Sequence, residues 1–196
     1  MNSSQMYQVF FESISSIMEM TEIDKKLCYQ YFEPVKIAKR TKVEDRNQVP
    51  QHQYFVVSGI MRNYFHNAAG DAITTDLNYA PRFFTSYNNF VNRAVSNEII
   101  ECVTDCELLR IKRDDVDILF EESVILKEFT ISYLEKVFYE ERARIEELTT
   151  LTAEQRYLKL LDKAPNIFLH VPLQHIASYL GIKPETLSRI RKKAIS

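Results

Sequence analysis

The hydrophobic spacing of this chain changes twice along its length, and that change constrains the fold more than any other feature. Met6, Val9, Phe10, Ile14 and Ile17 recur at helical spacing, so a short helix is expected over Met6–Ile17. A second short helix is expected from Ile23 to Tyr31, behind Thr21 as N-cap. From Phe32 the pattern becomes a series of short segments rich in Val, Ile, Tyr and Phe: Phe32–Ala38, Gln53–Val57, Ile60–His66, Ala72–Asn78, Ile99–Val103 and Glu107–Lys112. Short strands punctuated at roughly ten-residue intervals predict an antiparallel barrel or roll. Ala80-Pro81-Arg82 ends the strand run, and Phe83–Val91 reads as a loop or a short helical turn. From Arg113 the spacing returns to helical and stays so. The expected fold class is α+β: an N-terminal antiparallel β-roll of jelly-roll type, a long helix and a C-terminal helical unit.

Glycine is scarce, and this limits the chemistry. The chain has 196 residues and only three glycines, Gly59, Gly70 and Gly181, where about fourteen would be ordinary. Phosphate-cradling loops need several glycines in a short span, so P-loop and dinucleotide-binding readings are excluded. The glycines that remain are expected at sharp turns: Ser58-Gly59, and Asn67–Asp71 with Gly70 at the φ > 0 position.

Two helical stretches carry organisation. The first, about Ser123 to Leu148, places Val124, Ile131, Phe138 and Ile145 at spacings of seven. Leu134 and Leu148 fill two companion positions, and Lys127 and Glu141 hold the other two. This favours a coiled-coil seam with a partner helix, most simply the same helix of a second chain. The alternative is one helix packed on its own domain. Next, Thr152-Ala153-Glu154-Gln155 has the form of a capping box, starting a helix through about Lys163 that Pro165 stops. The joint at Thr149–Thr152 is a plausible hinge, and Ile167–Val171 reads as a short strand. These boundaries divide the chain into 1–121, 122–149 and 150–196.

The second stretch is LQHIASYLGIKPETLSRIRKK, Leu173–Lys193. Leu173, Ile176, Ala177 and Leu180 form an apolar stripe. Gly181 follows where a helix ends in the left-handed conformation, and Pro184 sits where a first helical turn tolerates it. Leu187 and Ile190 are expected to face back, with Glu185, Thr186, Ser188, Arg189 and Lys192 outward. This is a helix-turn-helix pattern with a basic outer face, suited to the DNA major groove. Charge agrees: Val171–Ser196 carries five Lys/Arg against one acid, leaving −6 for residues 1–170. Glu185, Thr186 and Arg189 are the candidate base-reading residues. Lys183, Ser188, Lys192 and Lys193 are the candidate phosphate contacts. The bland alternative is a helical hairpin with a solvated charged face.

In order, these elements resemble the Crp/Fnr family of bacterial transcription regulators. Leu173–Lys193 carries the resemblance, together with YFVVSGIMRNYF (Tyr54–Phe65), Gly70 and TDCELLRIKRDDVDILF (Thr104–Phe120). The resemblance implies a cyclic-nucleotide-binding-domain-like roll, a dimerisation helix and DNA recognition by Glu185-Thr186 and Arg189. It implies double-stranded DNA and a second copy of the chain as partners. RNA polymerase and an unidentified small-molecule effector are further candidates.

Family members that bind cyclic nucleotides carry a Gly-Glu pair and, roughly ten residues on, an Arg with a small polar residue. Here the corresponding positions hold Thr85-Ser86 and about Ser96-Asn97, and Arg93 fits only with a gap. Glu140, Glu141 and Arg142 stand in the long helix where the family offers Thr or Ser to the base. Thr85, Ser86, Ser96 and Asn97 therefore mark a degenerate effector pocket, and cyclic AMP is not expected to bind. A phosphate buried without a cation is costly. The family's usual β-hairpin wing is also not expected, since only Ala194-Ile195-Ser196 follow Lys193.

Other chemistry finds little support. Cys28, Cys102 and Cys106 are odd in number and form no C-x-x-C pair, so reduced thiols are expected rather than disulfides, zinc or an iron–sulfur cluster. A cupin-type metal roll would need several converging His, and only His52 and His66 lie near strands. No metal or cofactor is expected, no catalytic constellation stands out, and the chain is not read as an enzyme. A dimeric adaptor that does not bind DNA is the remaining alternative. No apolar run approaches the ~20 residues of a membrane helix, and Met1–Phe10 lacks the character of a secretory signal. A cytoplasmic protein with no membrane partner is expected.

Overall fold

The structure, a computed structural model, describes residues 1–195. The expectation about the chain end rests partly on Ser196, which lies outside them. Helices α1 (Ser3–Ser15) and α2 (Glu22–Tyr31) come first. Each starts at a capping box, Asn2 with Gln5 and Thr21 with Asp24, which satisfies otherwise orphaned backbone donors. Met6, Tyr7, Phe10 and Ile14 of α1 are buried, while Ile17 lies past the helix end and is exposed.

Eight strands follow: β1 (Glu33–Ile37), β2 (Lys42–Glu44), β3 (His52–Ser58), β4 (Ile60–His66), β5 (Ala72–Tyr79), β6 (Arg82–Phe84), then helix α3 (Tyr87–Asn92), β7 (Ile99–Cys102) and β8 (Cys106–Lys112). They form two four-stranded antiparallel sheets, ordered β1-β8-β3-β6 and β2-β7-β4-β5. Tyr54 to Val57 in β3 are buried without alternation because the strand is covered on both faces. Tyr54 and Val56 pack on Met61, Ile100, Cys102 and Leu108 between the sheets. Phe55 and Val57 pack under α1 and the later helices, with Phe10, Ile14, Leu109 and Ile111. Each such fully buried side chain contributes roughly 1.5–3 kcal/mol.

Gly59 joins β3 to β4 at φ 99°, and a Cβ there would lie 2.6 Å from the Asp105 carbonyl oxygen and 2.7 Å from Cys106 Sγ. Glycine is required there by space as well as by conformation. The three cysteines are free and buried.

Two strands were not expected. β2 and β6 are three residues each, too short to show a period. Ala80-Pro81-Arg82 does not end the strand run. After the cis Ala80–Pro81 bond, Arg82–Phe84 pairs with β3 at Val56↔Arg82 and Tyr54↔Phe84. Of the Phe83–Val91 stretch only residues 87–91 are helical, as part of α3.

Helices α4 (Arg113–Glu122), α5 (Val124–Thr150), α6 (Ala153–Lys163), α7 (Ile167–His170), α8 (Leu173–Tyr179) and α9 (Pro184–Ile195) complete the chain. Ser123 separates α4 from α5, caps Leu126 N and donates to Asp24 Oδ1 at 2.5 Å, which ties α2 to this corner. The expected strand over Ile167–Val171 is instead the single turn α7. A short apolar run is ambiguous between strand and helix, and here Ile167 is buried among helices, with Tyr157, Leu160 and Ile176.

Within α5 only Leu126 and Phe129 are buried. Val124, Ile131, Phe138, Ile145 and Leu148 are exposed, Val124 at 65% and Phe138 at 63%. The chain itself therefore leaves this stripe uncovered, whereas Leu134 is partly buried. Among the described residues, no helix is long and apolar enough to cross a membrane.

Candidate functional site

The C-terminal unit assembles as its pattern predicts. Ile176, Ala177, Leu180 and Leu187 are buried together, and Ile190 packs against them. Gly181 takes φ 66°; its N–H donates to Ser178 O at 3.0 Å, and Ile182 N–H donates to Ala177 O at 3.0 Å. These bonds close the end of α8, and Pro184 opens α9. Lys183, Glu185, Arg189, Lys192 and Lys193 are exposed, while Thr186 and Ser188 are half-buried. Arg189 donates to Thr186 Oγ1 at 3.3 Å. Lys193 pairs with Glu154 at 3.1 Å, so a phosphate there would compete with a carboxylate. The face can offer a planar donor, an acceptor and several ammonium groups to a polyanion.

The second candidate is a cavity of about 280 Å³ between the roll and α5. Thr85, Phe84, Tyr87, Asn78, Glu98 and Tyr133 are among its lining residues. Thr85, Ser86 and Ser96 are buried and lie in one network. Thr85 Oγ1 donates to Glu44 Oε1 at 2.8 Å, and the Ser86 N–H donates to Glu44 Oε2 at 3.1 Å. Ser86 Oγ donates to Glu98 Oε2 at 2.6 Å, and the Glu98 N–H donates to Ser96 Oγ at 3.0 Å. Asn97 is exposed and lies outside this network. Burial pushes the carboxyls of Glu44 and Glu98 above the usual carboxylate range. Arg93 caps α3 and pairs with Asp114 at 2.7 Å, so it does not line the cavity. The cation on the cavity wall is Arg82, which donates to Glu140 at 2.8 Å and to Asp76 at 3.3 Å.

No family model and no curated protein matches the chain. Solved structures do. The chain is similar to the c-di-GMP-responsive global regulator CLP of Xanthomonas campestris, with 20% identity and TM-score 0.68 over 87% of this chain and 90% of that one. It is similar to FixK2 from Bradyrhizobium japonicum, with 16% identity and TM-score 0.71 over 83% of each chain. A putative Crp/Fnr-family transcriptional regulator from Eubacterium rectale matches at 19% identity and TM-score 0.68, over 89% of this chain and 83% of that one. The chain has the Crp/Fnr regulator fold.

Within this Crp/Fnr fold the helix-turn-helix docks on the roll through side chains the sequence did not single out. Arg62 of β4 donates to the ring of His175 on α8, pairs with Glu101 at 3.6 Å and lies over the Tyr64 ring at 3.9 Å. The Thr74 N–H donates to Ser178 Oγ at 2.8 Å. Ile60 and Leu77 of the roll share the core of the helical unit. From the other side Arg144 of α5 stacks on Tyr179 at 3.6 Å and donates to its carbonyl at 2.9 Å. Burial and Arg62 push the His175 imidazole down to about 4, so it is neutral at pH 7. The Arg62–His175 and Thr74–Ser178 contacts pair residues more than a hundred positions apart, which no local pattern signals. Among the described residues, no group of three or more His, Cys, Asp or Glu is placed to hold a metal ion.

Proposed function

We propose that this protein is a cytoplasmic, homodimeric, sequence-specific DNA-binding transcription regulator that does not respond to cyclic AMP. The observation that carries the reading is the packed α8–Gly181–α9 unit with Glu185, Arg189, Lys183 and Lys192 exposed on one basic end of an acidic chain. Residues 150–196 read DNA, 122–149 dimerise and 1–121 form the sensor-like roll. Arg189, Glu185 and Thr186 address base edges, and Lys183, Ser188, Lys192 and Lys193 address phosphates. The uncovered stripe Val124, Ile131, Phe138, Ile145 and Leu148, continued by the partly buried Leu134, supports a second copy along α5.

The failure to take a cyclic nucleotide follows from the Glu44 and Glu98 network. The Ser86 N–H and the Thr85 hydroxyl are already spent on an internal carboxylate, so a phosphate would meet a like charge in a desolvated place. The DNA-bound dimer would act through RNA polymerase.

Selection of full-length protein on random duplexes tests the main reading. The expected product is a palindrome whose half-site centres lie ~34 Å apart; a pool with no enriched palindrome overturns it. Calorimetric titration with cyclic AMP is expected to give no saturable heat, and micromolar binding would overturn the second part.

A further inference from the structure

The cavity beneath α5 carries an excess of acid. Its walls hold Asp76, Glu98 and Glu141 against one cation, Arg82. Arg82 is already committed to Asp76 and Glu140. Among the described residues no ion pair reaches Glu98 or Glu141. Glu98 is half-buried and receives only neutral groups, Ser86 Oγ with Asn63 and Thr75, and Glu44, a buried carboxylate, stands behind Thr85 and Ser86. Phe83, Phe84, Tyr87 and Tyr133 supply aromatic surface to the same space. A volume of about 280 Å³ is small but sufficient for a compact ligand.

We propose that this cavity binds a small organic cation, a protonated amine carrying an aromatic or aliphatic group, with Glu98 and Glu141 receiving the ammonium and Phe84, Tyr87 and Tyr133 its apolar part. An ammonium near an aromatic face and a desolvated carboxylate gains from both. A phosphate or carboxylate ligand would add to the charge excess instead. Burial raises the carboxyl of Glu98, and burial with Asp76 raises that of Glu141 against the opposing pull of Arg144 and Arg82. The site is placed to be heard by the DNA-binding unit. Asp76, Arg82 and Glu141 also line a second cleft of about 290 Å³, between α5, α6 and α8, which contains Arg144 and Tyr179. A cation that engages Asp76 would compete with Arg82 for that carboxylate, beside the cleft where Arg144 of α5 meets Tyr179 of α8.

This inference deepens the reading of the roll as a sensor and rests on it for its biological role. The binding itself is tested separately. Full-length protein at pH 7 is titrated calorimetrically with three probes of one shape and different charge: 2-phenylethylamine, 2-phenylethanol and 3-phenylpropionate. The expected result is saturable millimolar or tighter binding of the amine, with the alcohol and the acid at least about tenfold weaker. Glu98→Gln is expected to weaken the amine about tenfold and leave the alcohol unchanged. Glu141→Gln, at a more exposed position, repeats the test should Glu98→Gln misfold. Equal binding of the three probes, a preference for the acid, or no saturable heat from the amine up to about 10 mM overturns the proposal. A duplex selection without a palindrome would sink the DNA reading and leave this titration standing; a failed titration leaves the selection standing.

Discussion

The outer face of α9 and the cavity under α5 treat charge in opposite ways. On α9 and the turn before it the charged groups stand in water, with Lys183, Glu185, Arg189 and Lys192 exposed. Each costs little to keep charged, and together they suit a polyanion whose counterions are released on contact. In the cavity the half-buried Glu98 and, behind it, the buried Glu44 lie among hydroxyls and a backbone amide. The difference teaches that charge follows different rules at the two places. Exposed cations on a helix keep their hydration at little cost, while acids taken out of water need hydrogen-bond donors around them.

The comparison can be broken most forcefully at the cores beneath each region. Phe55→Ala, under α1 in the roll, is expected to cost about 3–5 kcal/mol, and Leu187→Ala, beneath α9, about 2–5 kcal/mol. Denaturant melts check both, and a loss below about 1 kcal/mol at either site would mean that its core is not packed as described.

Next in size is the internal anion. Glu44→Leu strands the Ser86 N–H in a buried place, while the Thr85 hydroxyl keeps the His52 carbonyl as acceptor, and is expected to cost about 1–3 kcal/mol. Arg189→Ala is expected to relax discrimination at one base pair by about 1–3 kcal/mol. Lys192→Ala should instead weaken all sequences alike and reduce the salt slope by about one. Binding to single-mismatch duplexes at several salt concentrations separates the two, and identical profiles would erase the division between base-reading and phosphate-contacting residues.

The smallest effect is pH dependence, and its sign differs between the roll–helix contact and the cavity. The folded-state pKa of His175, about 4, lies below the ordinary imidazole value. Unfolded chains therefore bind the proton first, and stability is lost as pH falls from about 6.5 toward 4, by on the order of 1 kcal/mol after solvent screening. His175→Gln should flatten that part of a melting profile. Glu44 and Glu98 are raised, so they favour the folded state while protonated and lose that contribution as pH rises from the ordinary carboxylate value through their raised ones. A Glu98→Gln melting profile that keeps its slope in that window would remove Glu98 from the account.

Much of the fold was legible because its signals are local. The Thr152–Gln155 capping box, the Gly181 turn and Pro184 at the start of α9 each state their geometry within four residues. The strand β4 runs from Ile60 to His66 as its composition indicates. The strands β2 and β6 were illegible because three residues carry no period, and α7 was misread because four apolar residues do not distinguish a turn of helix from a strand. At the cavity, the residue types at Thr85-Ser86 could be read from the sequence alone. Their bonds to Glu44 could not. Glu44 lies in a short polar stretch some forty positions away, and nothing around it announces burial.

By itself, the sequence determined the α8–Gly181–α9 pair with its turn and the heptad stripe on α5, and its three glycines argue against phosphate loops. The first two are patterns of residues spaced a turn or two apart, where backbone geometry alone links spacing to structure. The tertiary structure decided that Glu44 meets Thr85 and Ser86, that Arg82 bridges Asp76 and Glu140, and that Arg62 reaches His175. These contacts join segments far apart in the chain, and what selects them is the cost of leaving a charge or donor unpaired once the sheets and helices have closed around it.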